Sequence, residues 1–483
     1  MSRLLVGPFN RVEGDLEISL DIADGRVREA RINAPLFRGF ESLLVGRAPL
    51  DALVIVPRIC GICSVSQSMA AAAALGDACG AVAPPNGERA LNLMHAIENL
   101  ADHFAHFYLF FMPDFAREHY ASRPWFSAAA ARFKAQAGSA AREIPAVRAN
   151  FLRCLGYLAG KWPHSLAIYP GGSSRAVKPA ERLRLLALLR EFRGFLENVS
   201  LGDRLENFAA LDSLEALAQW RAAGRGKRGD LGHFLEIAAD LKLETLGRAG
   251  DHFLSFGAYR EGASPVFARG HWHRQVVHAL DPAGITEDHS HAWLAGGETA
   301  LPPDRGTTQP VLEKPEAYSW CKAPRLYGSV VETGALARQL IDGHPLARAL
   351  VDESGGNVRN RVLARWLEMA RLLPMIEAWL AQLQPGEPYY QVAELPKTAQ
   401  GIGLVEAARG SLGHWISIEE GRLAHYQIIA PTTWNFSPRD RSGQPGAAER
   451  ALAGTPVGAG ELTPVAVQHV VRSFDPCMVC TVH

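Results

Sequence analysis

An excess of either charge is missing from this chain. Fifty lysines and arginines stand against fifty aspartates and glutamates, a formal net charge of +0 at pH 7. The composition therefore builds no field for nucleic acid or an anionic membrane surface. Long apolar runs are missing too: no stretch approaches the ~18 residues of a bilayer span, so no membrane insertion is expected. The opening MSRLLVGPFN lacks the apolar core of a signal peptide, and a cytoplasmic location is the expectation. Cysteine is scarce and odd in number, seven in 483 residues, which argues against a disulfide framework. Cys79, Cys154 and Cys321 are scattered and read as small buried hydrophobes. Internal repeats, low-complexity tracts and clean linkers are absent as well.

The other four cysteines form two pairs, Cys60-Gly61-Ile62-Cys63 and Cys477-Met478-Val479-Cys480, the second followed by His483. Two cysteines one helical turn apart can aim both sulfurs at one centre, and a histidine three residues on adds a nitrogen. If the pairs meet, most of the chain is folded around that meeting. Four thiolates make a soft site that suits zinc, nickel or iron. A structural zinc site is the plain alternative. Against it, zinc ribbons place their pairs ~15–20 residues apart. Val54, Ile55, Val56, Ile59 and Ile62 imply deep burial, and Asp475 and His483 add polar capacity that a closed structural site does not need.

With 48% hydrophobic and 21% charged residues the chain is an ordinary globular one. Alternation from Asp15 to Ala34 around Asp24-Gly25 predicts a hairpin. Apolar spacing predicts helices from Asn86 to Phe111, Pro179 to Val199 and Asn360 to Leu383, the last with Pro374 inside it. Residues 222–230, AAGRGKRGD, read as an exposed loop, and the text after Gly386 as loops and short strands. The expected architecture is α+β and α-rich: one unit over 1–483, a large helical core with peripheral short β-sheets, both termini converging on a buried metal site. Taken alone, Glu13 reads as an ion-pair partner of Arg11 and Asp102 as a helix-surface charge. His103 and His106 read as structural or interface residues. His271, His273, His278, His289 and His291 form a histidine-rich segment with no carboxylate or cysteine spacing to suggest a metal.

RICGIC, DPCMVCTVH and the RVEG at Arg11 to Gly14 together resemble the large subunit of NiFe-hydrogenases. Further matches follow in order: Arg38 to Glu41, Asp102-His103 with His106 to Tyr108, Glu406 to Gly410 with His414-Trp415, and Pro431 to Asn435. The resemblance implies that Cys60 and Cys477 are terminal nickel ligands while Cys63 and Cys480 bridge nickel to an iron carrying carbon monoxide and cyanide. Arg409, Thr432, Pro431 and Ala408 match the pocket around those diatomics, with Ala408 where proline is usual. Glu41, His483 and the backbone carbonyl of Ile428 match ligands of a magnesium-type cation. Glu13 matches a proton relay beside Cys477, and Asp102, Asp475 and Arg409 a charged layer near the open metal position. Iron–sulfur clusters would then belong to a separate small subunit.

Two departures point to the regulatory, hydrogen-sensing branch. Gln67 stands where most members have histidine, four residues after Cys63; an amide can donate toward a sulfur but cannot titrate. Ile62 and Phe110 are bulky where smaller side chains often line the gas path, which implies slower access for oxygen than for hydrogen. Catalytic members are generally made with a C-terminal extension that is later removed. Ending on His483 implies that a tail was cut off or was never encoded. The expectation is a hydrogenase large subunit that binds and splits H2 with low turnover, as a sensor read by a histidine kinase. The alternatives are an uptake hydrogenase serving a respiratory acceptor, a noncatalytic subunit of a redox complex, and a structural zinc protein.

Overall fold

Apolar residues at every second position bury one face of a strand, and Asp-Gly supplies the two positive-φ residues of a tight turn. The computed structural model, which describes residues 2–224, 226–262 and 264–483, has this hairpin. Strands Glu17–Ala23 and Arg26–Asn33 pair antiparallel across Asp24 and Gly25, at φ 52° and 68°. An unforeseen strand, Ser2–Val6, adds to the free edge of the first.

Helix Ser64–Cys79 begins at the residue after Cys63 and carries the alanine run Ala70 to Ala74. Alanine favours the helix and leaves its surface flat. Strand Ala399–Ala407 packs against that surface through Gly401 and Gly403, where an added Cβ would sit 2.0 Å from the carbonyl oxygens of Ala74 and Ala70. Backbone meets backbone there, and the segment carrying Cys63 rests on a close-packed wall.

The helix expected through Phe111 is α-helical over Pro85–Ala105 and then widens into a π turn, His106–Phe111, and a 3-10 turn, Met112–Ala116. Pro113 has no N–H and cannot sit over the carbonyl of Leu109, so the α ladder cannot continue. Helix Pro179–Phe195 likewise passes into a π turn, and helix Val358–Ala381 runs through Pro374. The C-terminal quarter differs from the loops and short strands expected after Gly386. It contains a long antiparallel meander, Ala399–Ala407, Gly410–Glu419 and Arg422–Ile429, and three helices, Pro431–Asn435, Ala447–Leu452 and Val465–Phe474. These helices are short and bounded by glycine and proline, so turn signals masked them in the sequence. In the 222–230 stretch, Gly226–Arg228 is a 3-10 turn and Arg225 lies outside the described residues.

The fold is mixed and helix-rich, with one apolar cluster holding side chains from Val6 to Val482. Among the described residues no helix is long and apolar enough to cross a membrane. Burial extends to charge. Arg338 donates to Glu368 at 2.8 and 2.9 Å, to Glu406 at 2.8 Å, and to the carbonyls of Ala407 and Ala408 at 2.8 and 3.0 Å. His103 meets the same Glu368 at 3.0 Å. Breaking such a network leaves uncompensated buried carboxylates, which costs more than the pairing contributes. Arg338→Ala is expected to lower stability by about 3–5 kcal/mol, read as a fall in the denaturant midpoint. Arg338→Lys should recover little, since an ammonium lacks the planar five-donor fork; full recovery by lysine would show that charge alone suffices.

Candidate metal centre

The C-terminal segment reaches the interior through a buried ionic knot. Asp114, in the turn after the long helix, accepts from Arg472 at 2.6 Å and from Arg11, and lies 3.6 Å from His469. Arg472 also donates to the side chain and carbonyl of Asn10 at 2.7 and 2.8 Å, and Arg11 to the carbonyl of Phe110 at 2.8 Å. Arg11 therefore pairs with Asp114, where sequence alone suggested Glu13. The knot clamps residues 10–14 to helix Val465–Phe474, which stops at Asp475 in a left-handed conformation, φ 61°. Glu13 then pairs with Cys477 through the backbone: Met478 N–H donates to the Glu13 carbonyl at 2.6 Å, and Glu13 N–H to that of Pro476 at 3.4 Å. Gly14, at φ 81°, lies where a Cβ would be 2.8 Å from Val479 Cγ1 and 2.9 Å from its nitrogen. Only glycine permits that approach.

The first pair is held from the other side. Glu98, on the long helix, accepts from the Val65 and Ser66 N–H groups at 2.8 and 2.9 Å and from Trp162 Nε1 at 2.9 Å. It thus satisfies the first turn of the helix that follows Cys63, and burial pushes its carboxyl up to about 7. Arg38 donates to the carbonyls of Ile59 and Val479, clasping both loops. All four sulfurs consequently meet. Cys63 Sγ is 3.2 Å from Cys480 Sγ, and Cys477 Sγ lies 3.5 Å from Cys60 Sγ and 2.9 Å from Cys480 Sγ. Among the described residues these are the only group of three or more His, Cys, Asp or Glu side chains with ligand atoms all within 4.8 Å of one another. Burial raises the Cys477 and Cys480 thiols, whereas hydrogen bonds from the other three sulfurs lower Cys60. So many buried sulfurs can lose their protons together only against a cation, and the donor set fits nickel and iron.

Around the sulfurs the chain arranges polar groups. Arg409 pairs with Asp102 at 2.8 Å and Asp475 at 3.2 Å, and donates to the Asp475 carbonyl at 2.9 Å. Burial lifts the Asp102 carboxyl to about 6 and the Asp475 carboxyl also upward. Asp102, which taken alone reads as a surface charge, is buried and paired with Arg409. Thr432 Oγ1 accepts from the Cys477 N–H at 3.0 Å; Pro431 opens that short helix, and Ala408 gives its carbonyl to Arg338. Half-buried Glu13 has its carboxyl raised, first by burial and then by the Cys60 charge. Gln67 turns its side-chain oxygen to His414 Nε2 at 2.9 Å, while His414 Nδ1 meets the Tyr426 hydroxyl at 2.8 Å. Burial drops His414 to about 3, so this line of groups is uncharged near neutrality.

Glu41 accepts from Lys322 at 2.8 Å, from the Ile428 N–H at 2.7 Å and from Thr308, and Lys322 also pairs with Glu287 at 2.9 Å. In an extended strand the N–H and C=O of a residue share one edge, so the Ile428 carbonyl faces the same side. Both ring nitrogens of His483 are buried with no protein partner, which leaves it free to take a ligand. Ile62 and Phe110 are half-buried, Ile62 against the core and Phe110 beside Arg11. His103 and His106 are buried and bonded to Glu368 and to the Arg472 carbonyl. Cys154 and Cys321 are buried and Cys79 is partly so.

Glu98, Asp114, Arg472, Lys322 and the link from His414 to Gln67 are not legible in the sequence, because a single polar or charged residue carries no local signal of the distant partner that buries it. Arginines pull the Asp114 carboxyl below its usual value despite burial. A depressed carboxylate contributes stability that is complete above its unfolded pKa and is lost as pH falls through the folded one, so the knot is intact at neutrality. Asp114→Asn is expected to destabilise the chain by about 3–5 kcal/mol and to lower nickel and iron content on elemental analysis. Full metal content in the variant would show that the knot does not position the second pair.

The model of the nickel-dependent hydrogenase family matches residues 38–134 and 143–483. The periplasmic NiFeSe hydrogenase large subunit of Desulfomicrobium baculatum is 30% identical over 517 residues, spanning 100% of this chain and 95% of that protein. The uptake hydrogenase large subunit of Rubrivivax gelatinosus is 28% identical, spanning 100% of this chain and 95% of its own length. The reduced Ni-Fe-Se hydrogenase from D. vulgaris Hildenborough superposes with a TM-score of 0.84 at 28% identity, covering 100% of both chains. With four buried sulfurs gathered as a nickel site requires, the chain belongs to the nickel-dependent hydrogenase family, as a hydrogenase large subunit.

Proposed function

We propose that this large subunit splits H2 heterolytically at a nickel–iron centre and serves as a hydrogen sensor of low turnover, one chain-long unit read out through a histidine kinase. The single observation that carries the metal reading is the meeting of Cys60, Cys63, Cys477 and Cys480 in the buried core. In this reading Cys60, Cys63, Cys477 and Cys480 would hold nickel and iron, and Arg409, Thr432, Pro431 and Ala408 would line the pocket for the diatomic ligands of the iron. When bound, the metals supply a Lewis-acidic, redox-active pair that polarises H2. The proton leaves through the protein: a cysteine sulfur takes it first, and Glu13, paired to Cys477 and raised by burial, receives and releases it near neutrality. Arg409, pinned between Asp102 and Asp475, keeps a fixed positive charge beside the sulfurs. Glu41, the Ile428 carbonyl and His483 would hold a magnesium-type cation, whose charge would tie the C-terminus down.

Gln67 and His414 support the sensor reading, since neither titrates near neutrality and this corner cannot shuttle protons. Ile62 and Phe110 support a narrowed gas path. Uptake is the second reading, favoured by relatives named as uptake and periplasmic enzymes. A cytoplasmic location belongs with the sensor. Either role requires an electron path. The three remaining cysteines lie apart from the centre, so a small subunit would carry the iron–sulfur clusters. Exposed Leu36, Leu43, Val45, Leu50 and Val54, in the segment leading to Cys60, offer it an apolar face.

Purifying the native complex tests the role. A small subunit with a histidine kinase is the expected outcome, and a small subunit with a membrane cytochrome would replace the sensor by the uptake reading. Glu13→Gln is expected to slow H2/D+ exchange by about 10²–10⁴-fold at unchanged nickel and iron content; wild-type exchange would remove Glu13 from the proton path. Ile62→Val with Phe110→Leu should make activity oxygen-sensitive, and unaltered tolerance would dispose of the narrowed path.

A further inference from the structure

Four histidines gather on one face of the four-stranded sheet, away from the cysteines. Strand Phe253–Glu261 pairs antiparallel with Ser264–His273, which pairs with Val276–His278. The register sets Trp272 between Phe253 and Val277, and these apolar residues pack inward with Ala335, Leu336 and Leu340. Alternation then turns His271 and His273 to the opposite face. His278 is the cross-strand partner of His271, and His252 immediately precedes Phe253. Register adds His252 to His271, His273 and His278 of the histidine-rich segment.

His252 Nε2 and His271 Nδ1 share a hydrogen bond at 3.1 Å, whose proton a metal ion would replace. Two imidazole nitrogens bound to one ion at ~2.0–2.1 Å stand about 2.9–3.4 Å apart for angles from square to tetrahedral. The His273 ring is centred 4.6 Å from that of His252, and the His278 ring stacks 5.1 Å from that of His271. The Nδ1 atom of His273 is buried without a hydrogen-bond partner, unusual for a polar atom unless a ligand is to be met. His278 is exposed and His273 half-buried, so rotation about a broad χ2 can bring either ring onto the pair. The Tyr327 ring, 5.5 Å from that of His271, closes one side. Burial, then the neighbouring imidazoles, holds His252 down to about 4, and burial lowers His271, so both are neutral and able to ligate at physiological pH.

We propose that His252, His271, His273 and His278 form a peripheral site for one exchangeable divalent transition-metal ion, separate from the cysteine centre. All-imidazole donors select zinc, nickel or copper over magnesium or calcium. A bound ion links the lead-in to the first strand with the second and third strands, and water completes its shell on the exposed side.

The test is equilibrium dialysis of the purified holo complex against zinc alone, after weakly held metal has been removed and the nickel and iron counted. One zinc per large subunit beyond the active-site metals is expected. His252→Ala should weaken binding at least tenfold and His278→Ala, at the surface, severalfold, with hydrogenase activity unchanged in both. Cobalt in place of zinc should give visible absorption bands that disappear in His252→Ala. Absence of an additional zinc in the wild type overturns the proposal, as does equal binding by the wild type and both variants. Should His252→Ala fail to fold, His278→Ala and His278→Gln decide: undiminished affinity in both removes the site.

Discussion

Everything at the centre depends on a charged contact buried away from water, the carboxylate of Asp114 between the guanidinium groups of Arg472 and Arg11. Charges taken out of water are costly unless their partners are held in good geometry. Two arginines on one carboxylate, with Asn10 accepting from Arg472 and His469 close by at 3.6 Å, meet that condition. The consequence is mechanical. The N-terminal loop and the last helix cannot separate without exposing an unpaired charge to the interior, so Glu13 and Cys477 lie side by side and the second sulfur pair comes within reach of the first.

A second set of buried charges works one layer out. Arg338 is bound to two carboxylates and spends its remaining donors on the carbonyls of Ala407 and Ala408, immediately before Arg409. The site guanidinium thus inherits its place from a network that never touches the sulfurs. On the other flank, Glu98 ties down the start of the helix after Cys63, and the backbone contact at Gly401 and Gly403 keeps that helix from shifting. Stiffness of this kind suits chemistry in which the polar surroundings must be in place before the reaction.

Uncharged groups matter as much as charged ones. Tyr426, His414 and Gln67 form a line with no titratable member near neutrality, leading to the turn of helix that follows Cys63. Histidine in place of Gln67 would put a titratable ring on this line and couple it to pH. The sheet histidines present the converse arrangement, several neutral ring nitrogens and few protein partners for them.

Much was legible before the structure. The hairpin followed from period-two alternation and Asp24-Gly25, the long helices from their apolar spacing, and the candidate centre from two CxxC pairs and a terminal histidine, because each signal lies in neighbouring residues. Helices after Gly386 were not legible, since short elements between glycines and prolines have too few turns to show a period. Nor was the burial of Asp114, Arg338 or Glu98. A charged residue on a helix looks the same whether it faces water or a partner hundreds of residues away. The sequence by itself determined which atoms are available for the metals, since sulfur chemistry belongs to the residue. Only the tertiary structure decided that they meet, and which arginine answers which carboxylate, because Coulomb energy in a dry interior depends on distance through space and not on position along the chain.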